Sequence, residues 1–382
     1  MKKVLYLLAA LLIIIALYVT FFAPPFVLYS PLSSPQSTTY DPPRDHYVIL
    51  GFAPYWNLKK LSPESLETIT HFAYFNLHLD QSGNVYKKIN SKEEDPAFTN
   101  YKRLLNNTTA YHTKPLIITF LPESQKALFA TISTPSLRQN TINTILAVLQ
   151  ETNAVGVNID YEPLDDVTKT HRDNFTLFIK DLHTQLSSTP PHQISISTYA
   201  SAASRPRLWD LKALAPFTSY FVIMTYDYTL PASNTSGPNS PLRGSGNLME
   251  HDIVKNIKEI SLLVPSRKIL LGIPFYGYQW DTVDESKYSP VESKGSLASL
   301  ARIDQMLKDN TLKLLWDRNT LTAYGIASDS GQISQIYFEN ETSLKLKIDF
   351  VKSASLGGIA IWALGYEGNG SWVWPVISSL SQ

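Results

Sequence analysis

From residue 47 onward, short β-rich runs alternate with stretches whose apolar residues recur every three to four positions. The runs fall at 47–56, 69–79, 114–121, 154–161, 193–199, 219–228, 268–276 and 357–363. Several are continuously apolar, which is how strands buried on both faces of a parallel sheet read. Helical stretches at 136–150, 173–187, 249–263 and 342–353 lie between them. Eight strands alternating with helices predict an α/β protein built as a (β/α)8 TIM barrel over 46–382, with a doubly wound open sheet as the alternative. The connection at 278–345 is too long for a simple βα loop. Its helix-like stretch at 296–309 and strand-like stretches at 312–317 and 333–338 predict a small α+β insertion between strands 7 and 8.

Two segments precede the barrel. Lys2 and Lys3 stand before an uncharged apolar run at 4–22. At a rise of ~1.5 Å per residue this run spans roughly 28 Å, close to the hydrocarbon thickness of a bilayer. A transmembrane helix within 1–23 is therefore expected. The leading lysines keep its start cytoplasmic and place the rest of the chain outside. Phe21 and Pro24 make a poor signal-peptidase site around Ala23, which favours an uncleaved anchor over a secreted form. Residues 24–45 lose apolar periodicity and carry Pro24, Pro25, Pro31, Pro35, Pro42 and Pro43 among Ser and Thr, as a semi-stiff linker does.

The chemistry concentrates in Gly156-Val157-Asn158-Ile159-Asp160-Tyr161-Glu162. Side chains alternate along a strand, so Asn158, Asp160 and Glu162 share one face. In a barrel that face is the lumen, and the C-terminal end of the strand is where active sites are built. Two carboxylates two residues apart in a dry site cannot both ionise comfortably, so one is expected to be raised and to serve as an acid. Solvated acids on a surface strand are the competing reading, which the flanking Val155, Val157 and Ile159 disfavour.

Composition narrows the field further. With 33 basic and 33 acidic residues the net charge is zero, which removes the electrostatic argument for nucleic acid. There is no cysteine, so disulfides, thiolate nucleophiles and Cys-based zinc sites are excluded. The histidines lack metal-type spacing, and no phosphate loop or dinucleotide fingerprint is present, so neither metal nor cofactor is expected. His78 reads as a satisfied core or rim residue. A monomer is expected.

The strand-4 segment resembles the signature of glycoside hydrolase family 18, Asp-Gly-x-Asp-x-Asp-x-Glu. Met224-Thr225-Tyr226-Asp227-Tyr228, Gly237-Pro238-Asn239-Ser240-Pro241-Leu242, Gly272-Ile273-Pro274-Phe275-Tyr276-Gly277 and Gly357-Gly358-Ile359-Ala360-Ile361-Trp362 resemble its later motifs, in order and at barrel spacing. Within the family the chain is similar to the bacterial branch of spore-germination and cortex-lytic glucosaminidases. The resemblance implies hydrolysis of β-1,4-linked N-acetylglucosamine glycan, peptidoglycan or chitin, by substrate-assisted retaining catalysis. It makes Glu162 the general acid and base, Asp160 the support of the 2-acetamido group and Tyr226 its positioner. Asp227, Met224 and Asn158 become substrate contacts, and Trp362 the floor beneath the distorted sugar. Tyr55 and Trp56, ending strand 1, are subsite candidates. A lectin that keeps the barrel without turnover is the alternative, and transglycosylation or action on N-linked glycans would use the same residues. Two positions depart from the signature. Val155 replaces the first Asp and is expected to point away from the lumen. Asn158 replaces the second, and is expected to hydrogen-bond Asp160 without being able to share a proton.

Overall fold

A computed structural model describes residues 46–106, 113–187, 192–369 and 372–381. The expected anchor at 1–23 and linker at 24–45 lie outside them. Among the described residues no helix is long and apolar enough to cross a membrane.

Among the described residues eight parallel strands close into a barrel. They are β1 (Val48–Pro54), β2 (His71–Leu79), β3 (Leu116–Pro122), β4 (Gly156–Ile159), β5 (Gln193–Tyr199), β6 (Tyr220–Met224), β7 (Ile269–Pro274) and, after an inserted sheet, β13 (Gly358–Trp362). Closure comes from β1 pairing with β13, Val48 opposite Gly358 and Gly51 opposite Ile361. The open-sheet alternative is thereby excluded.

Alternation sorts each strand into two cores. Leu50, Phe52, Ala73, Ile117, Val222, Leu270 and Ala360 fill the lumen. Their neighbours, such as Ile49, Ile118, Val157, Ile159 and Ile223, pack outward with the helices. Tyr161 continues the outward face and stacks on Phe178 of the helix Lys169–Leu186. Helix starts carry side-chain caps, Ser124 for Gln125–Ser133 and Thr134 for Pro135–Thr152, which satisfy otherwise orphaned N–H groups.

The insertion differs from expectation in detail. It is a five-stranded antiparallel sheet in the order β10-β11-β12-β8-β9. Its strands are β8 (Tyr276–Thr282), β9 (Ser296–Ser299), β10 (Lys313–Asp317), β11 (Thr322–Asp329) and β12 (Gln332–Phe338), with one helix at Leu300–Lys308. Tyr276 opens β8 instead of ending β7. The stretch at 296–309 begins as a strand and turns helical only after Ser299 caps Leu300–Lys308. β11 was not expected: its Ala, Gly and Ser dilute the β-branched signal. The helix Glu341–Ser353 then leads back to the barrel.

Val155 departs from expectation only as an apolar flank of the acid strand. It is 37% exposed, just before β4, and contributes no buried flank. Only its main chain takes part in the sheet, bonding Leu116 and Gln193.

Candidate active site

The β4 ladder ends early. Asp160 makes the last main-chain bond, donating to the Phe120 carbonyl at 3.0 Å, and Glu162 lies beyond it at the C-terminal mouth of the barrel. Asp160 is only 4% exposed, and its Oδ1 has no hydrogen-bond partner among the described residues. A buried carboxylate oxygen without a donor is costly unless a ligand or water supplies one.

A cleft of about 840 Å3 opens above this strand, lined by Glu162, Tyr199, Arg207, Met224, Tyr226 and Asp227. Burial pushes the Glu162 carboxyl well up, the charges of Asp160 and Asp227 add to the rise, and a hydrogen bond to Tyr199 opposes it. Asp160 is raised as well, by burial, against a hydrogen bond from Ser197. Burial and the neighbouring Asp160, Glu162 and Asp227 hold the Tyr226 phenol strongly in its neutral form. The site therefore keeps an acid and a neutral phenol side by side, a combination suited to proton donation.

Asp227 sits in the left-handed region at φ 61°. Its N–H donates to Asn239 Oδ1 at 2.9 Å, and Asn239 Nδ2 donates to the Tyr276 carbonyl at 3.1 Å. The residue is exposed as a whole, yet its Oδ1 accepts from both Tyr276 at 2.5 Å and Tyr278 at 2.9 Å. Burial still raises its carboxyl, with both tyrosines opposing. Gly272 makes room for this corner: a Cβ there would stand 2.5 Å from the Ile223 carbonyl and 2.9 Å from the Tyr226 ring.

Asn158 lies one layer beneath the mouth, fully buried. The expected bond to Asp160 is replaced. Asn158 Nδ2 donates to the Ser197 hydroxyl at 3.0 Å, and Asn158 Oδ1 accepts from Ser195 at 2.9 Å. These β5 serines sit beside Asn158 in register, Ser195 directly opposite, and bond both the nitrogen and the oxygen of its amide. Ser197 also hydrogen-bonds the Asp160 carboxyl and so links the two side chains.

Trp362, at the end of β13, packs both on the lumen cluster and on the aromatic cluster of β8 that includes Tyr276 and Tyr226. Phe75 meets its ring edge-on at 4.5 Å. Trp56 is 46% exposed and stands edge-on to Trp362 at 6.4 Å, so it extends the aromatic surface outward. Tyr55 faces the outer core and meets Trp56 edge-on. His78 is bonded to Asp95 at 2.6 Å. Among the described residues no group of three His, Cys, Asp or Glu side chains is arranged to hold a metal.

Sequence reasoning missed Tyr199, Ser197, Tyr278 and Arg207. Tyr199 and Ser197 lie on the lumen face of β5, where alternation from Ser195 would have found them. Tyr278 needed β8 to be recognised as a strand. Arg207 comes from an irregular loop with φ 39° and carries no periodic signal.

The family model for glycosyl hydrolases family 18 matches residues 48–367. A putative sporulation-specific glycosylase, YdhD of Bacillus subtilis (strain 168), is 23% identical over 331 residues, covering 85% of this chain and 69% of that protein. The cortical fragment-lytic enzyme of Bacillus anthracis is 21% identical over 310 residues, covering 80% and 66% respectively. Among solved structures, a class V chitinase from Nicotiana tobaccum superposes with a TM-score of 0.75 at 17% identity, covering 88% of this chain and 99% of that one. A family 18 N-acetylglucosaminidase from Paenibacillus barengoltzii gives 0.72 at 18%, covering 88% and 100%. At such identities the structural likeness speaks to the barrel and its insertion.

Proposed function

The chain belongs to glycosyl hydrolase family 18 and is a glycosidase, and from that premise we propose that it cleaves β-1,4-linked N-acetylglucosamine glycans with Glu162 as general acid and base. The observation that carries this reading is the half-buried Glu162, raised by burial and by the charge of the buried Asp160 two residues before it, lining a cleft shared with Tyr226 and Asp227. Glu162 gives its proton to the glycosidic oxygen as the bond from that oxygen to the anomeric carbon breaks. The carbonyl oxygen of the substrate's own 2-acetamido group bonds the anomeric carbon from the opposite face, giving an oxazolinium ion and a neutral leaving alcohol. Asp160 accepts the acetamido N–H and offsets the positive charge that develops. Tyr226 donates to the acetamido oxygen and holds it in line. Water then bonds the anomeric carbon, the Glu162 carboxylate takes its proton, and the acetamido group is released with retained configuration. Asp227 and Met224 contact the sugar, and Trp362 lies beneath it with Trp56 further out.

Asn158 enters this reading as a support for Asp160 through Ser197. We further propose that residues 1–23 tether the barrel to the outer face of a membrane, supported by the apolar run behind Lys2 and Lys3. Mass-spectrometric product analysis on chitin oligomers and purified peptidoglycan tests the activity. Turnover by the wild type that Glu162→Gln abolishes is the expected result. Sugar binding without turnover in both proteins would replace the enzyme with a lectin.

A further inference from the structure

The acid is carried by a piece of chain that the sheet no longer holds. Past Asp160 the main chain of 161–167 makes no main-chain hydrogen bonds with the described residues until the helix Lys169–Leu186 begins. Tyr161 is anchored by its buried ring, but that anchor lies on the outward face. Three consecutive residues, Glu162, Pro163 and Leu164, are instead gripped by two side chains, one from the helix start after β3 and one from the loop after β5. Gln125 Nε2 donates to the Glu162 carbonyl at 2.9 Å, while Gln125 Oε1 accepts from the Leu164 N–H at 2.8 Å. From the loop after β5, Arg207 Nη1 donates to the Pro163 carbonyl at 3.1 Å.

Both grips are themselves fixed. Gln125 is the first residue of its helix, whose start is capped by Ser124 bonding the Ala127 N–H at 3.1 Å. The guanidinium of Arg207 lies over the Tyr199 ring at 5.2 Å, and Tyr199 in turn bonds the Glu162 carboxyl. Gln125 uses both ends of its amide on the backbone either side of Pro163, a residue that has no N–H of its own to offer.

We infer that Gln125 and Arg207 are positioning residues that together fix the main chain of Glu162–Pro163–Leu164 and so set the reach of the Glu162 carboxyl. This rests on the proposed role of Glu162 for its catalytic consequence, but the clamp itself does not. A general acid must sit within hydrogen-bond distance of the oxygen it protonates, and a displacement of about 1 Å can cost on the order of 100-fold in rate. An acid on an unpaired loop needs such a clamp more than one inside a ladder.

The test is made on the full chain with two readouts, amide hydrogen exchange of the segment 160–168 and steady-state hydrolysis of chitotetraose. In Gln125→Ala the Leu164 amide should exchange roughly 10-fold faster or more, and kcat should fall about 10- to 100-fold with KM little changed. Gln125→Glu keeps an oxygen for the Leu164 N–H but lacks the donor for the Glu162 carbonyl. It should retain Leu164 protection and recover only part of kcat, and it carries the test if the alanine variant folds poorly. Arg207→Ala should also lower kcat, and its effect should be less than additive with Gln125→Ala because both act on one segment. Unchanged Leu164 exchange in Gln125→Ala, kcat within about 2-fold of wild type, or strict additivity overturns the inference. A wild type that turns over no glycan sinks the catalytic reading instead, and the exchange measurement alone then decides whether the clamp exists.

Discussion

Tyr276, the first residue of the inserted sheet, donates its hydroxyl hydrogen to Asp227, just past the end of β6, at 2.5 Å. The insertion is thus bonded into the mouth of the barrel and does more than wall it. Tyr276 also meets Tyr226 edge-on at 6.1 Å, so one side chain braces both a carboxylate and a phenol of the site.

Removing that hydroxyl leaves Asp227 with Tyr278 alone. Burial already raises the Asp227 carboxyl and the two tyrosines counter it, so Tyr276→Phe should raise it further. A lost charge-assisted hydrogen bond predicts a fall in kcat/KM of about 10-fold. Steady-state kinetics on chitotetraose check this, alongside a melting temperature that stays close to wild type.

Asp160 contributes to the raised position of the Glu162 carboxyl through its charge. Activity requires Glu162 protonated, so the rate falls as pH rises through the apparent value of the coupled pair. Asp160→Asn removes the charge and lets the Glu162 value drop, which moves the alkaline limb of the kcat/KM profile to lower pH. The same change removes a charge that offsets the oxazolinium, so the rate at the optimum should fall by about 100-fold or more. An alkaline limb that stays in place would separate Asp160 from the titration of Glu162.

Glu367, in the loop after β13, is fully buried. Its Oε2 accepts the Gly365 N–H at 2.6 Å, while Oε1 has no partner among the described residues. Burial pushes its carboxyl up to about 7, against hydrogen bonds from the Gly365, Tyr366 and Glu367 backbone. The folded state thus holds the proton more tightly than the unfolded chain, whose value is 4.5. Stability from this group is present below pH 4.5 and is lost as pH rises toward 7. Glu367→Gln keeps the acceptor and removes the titration. Denaturant melts at a series of pH values should show the variant gaining on wild type across that window, by on the order of 1–3 kcal/mol at the alkaline end.

The barrel was legible because its strands are continuously apolar and its acid motif alternates. The elements that escaped were those whose pattern is set by their partners. β8 reads as a tail of β7 because only Phe275 separates them, and its Tyr-Gly-Tyr-Gln-Trp alternation acquires meaning only beside β12, where Tyr278 stands opposite Tyr337. Asp160 and Glu162 could be placed on one face by counting. The serines that take up the Asn158 amide, and the hydroxyls that enclose Asp227, depend on neighbouring strands in space. No spacing along the chain encodes Gln125, 37 residues from the acid it grips.

Lys347 and Glu339 form a buried pair behind the insertion, 2.5 Å apart, with side chains 0% and 2% exposed. Ser343 also donates to Glu339 at 2.6 Å. Removing Lys347 leaves the Glu339 charge buried with only the Ser343 hydroxyl to offset it, so Lys347→Ala should cost about 3–5 kcal/mol in unfolding free energy. A Lys347→Met/Glu339→Leu double variant should lose much less, because neither charge then remains. Urea denaturation of the three proteins distinguishes the two.

The central claim is that the acetamido oxygen of the substrate, with Glu162 as proton donor, opens the glycosidic bond. Hydrolysis rates of an aryl N-acetylglucosaminide series whose N-acyl group carries zero to three fluorine atoms test it most directly. Each fluorine weakens the carbonyl oxygen as a nucleophile while leaving its shape nearly unchanged. The account predicts kcat/KM falling steeply and monotonically along the series, with the β-anomer seen first by proton NMR. Rates that ignore the fluorines, or an α-anomer appearing first, would contradict it.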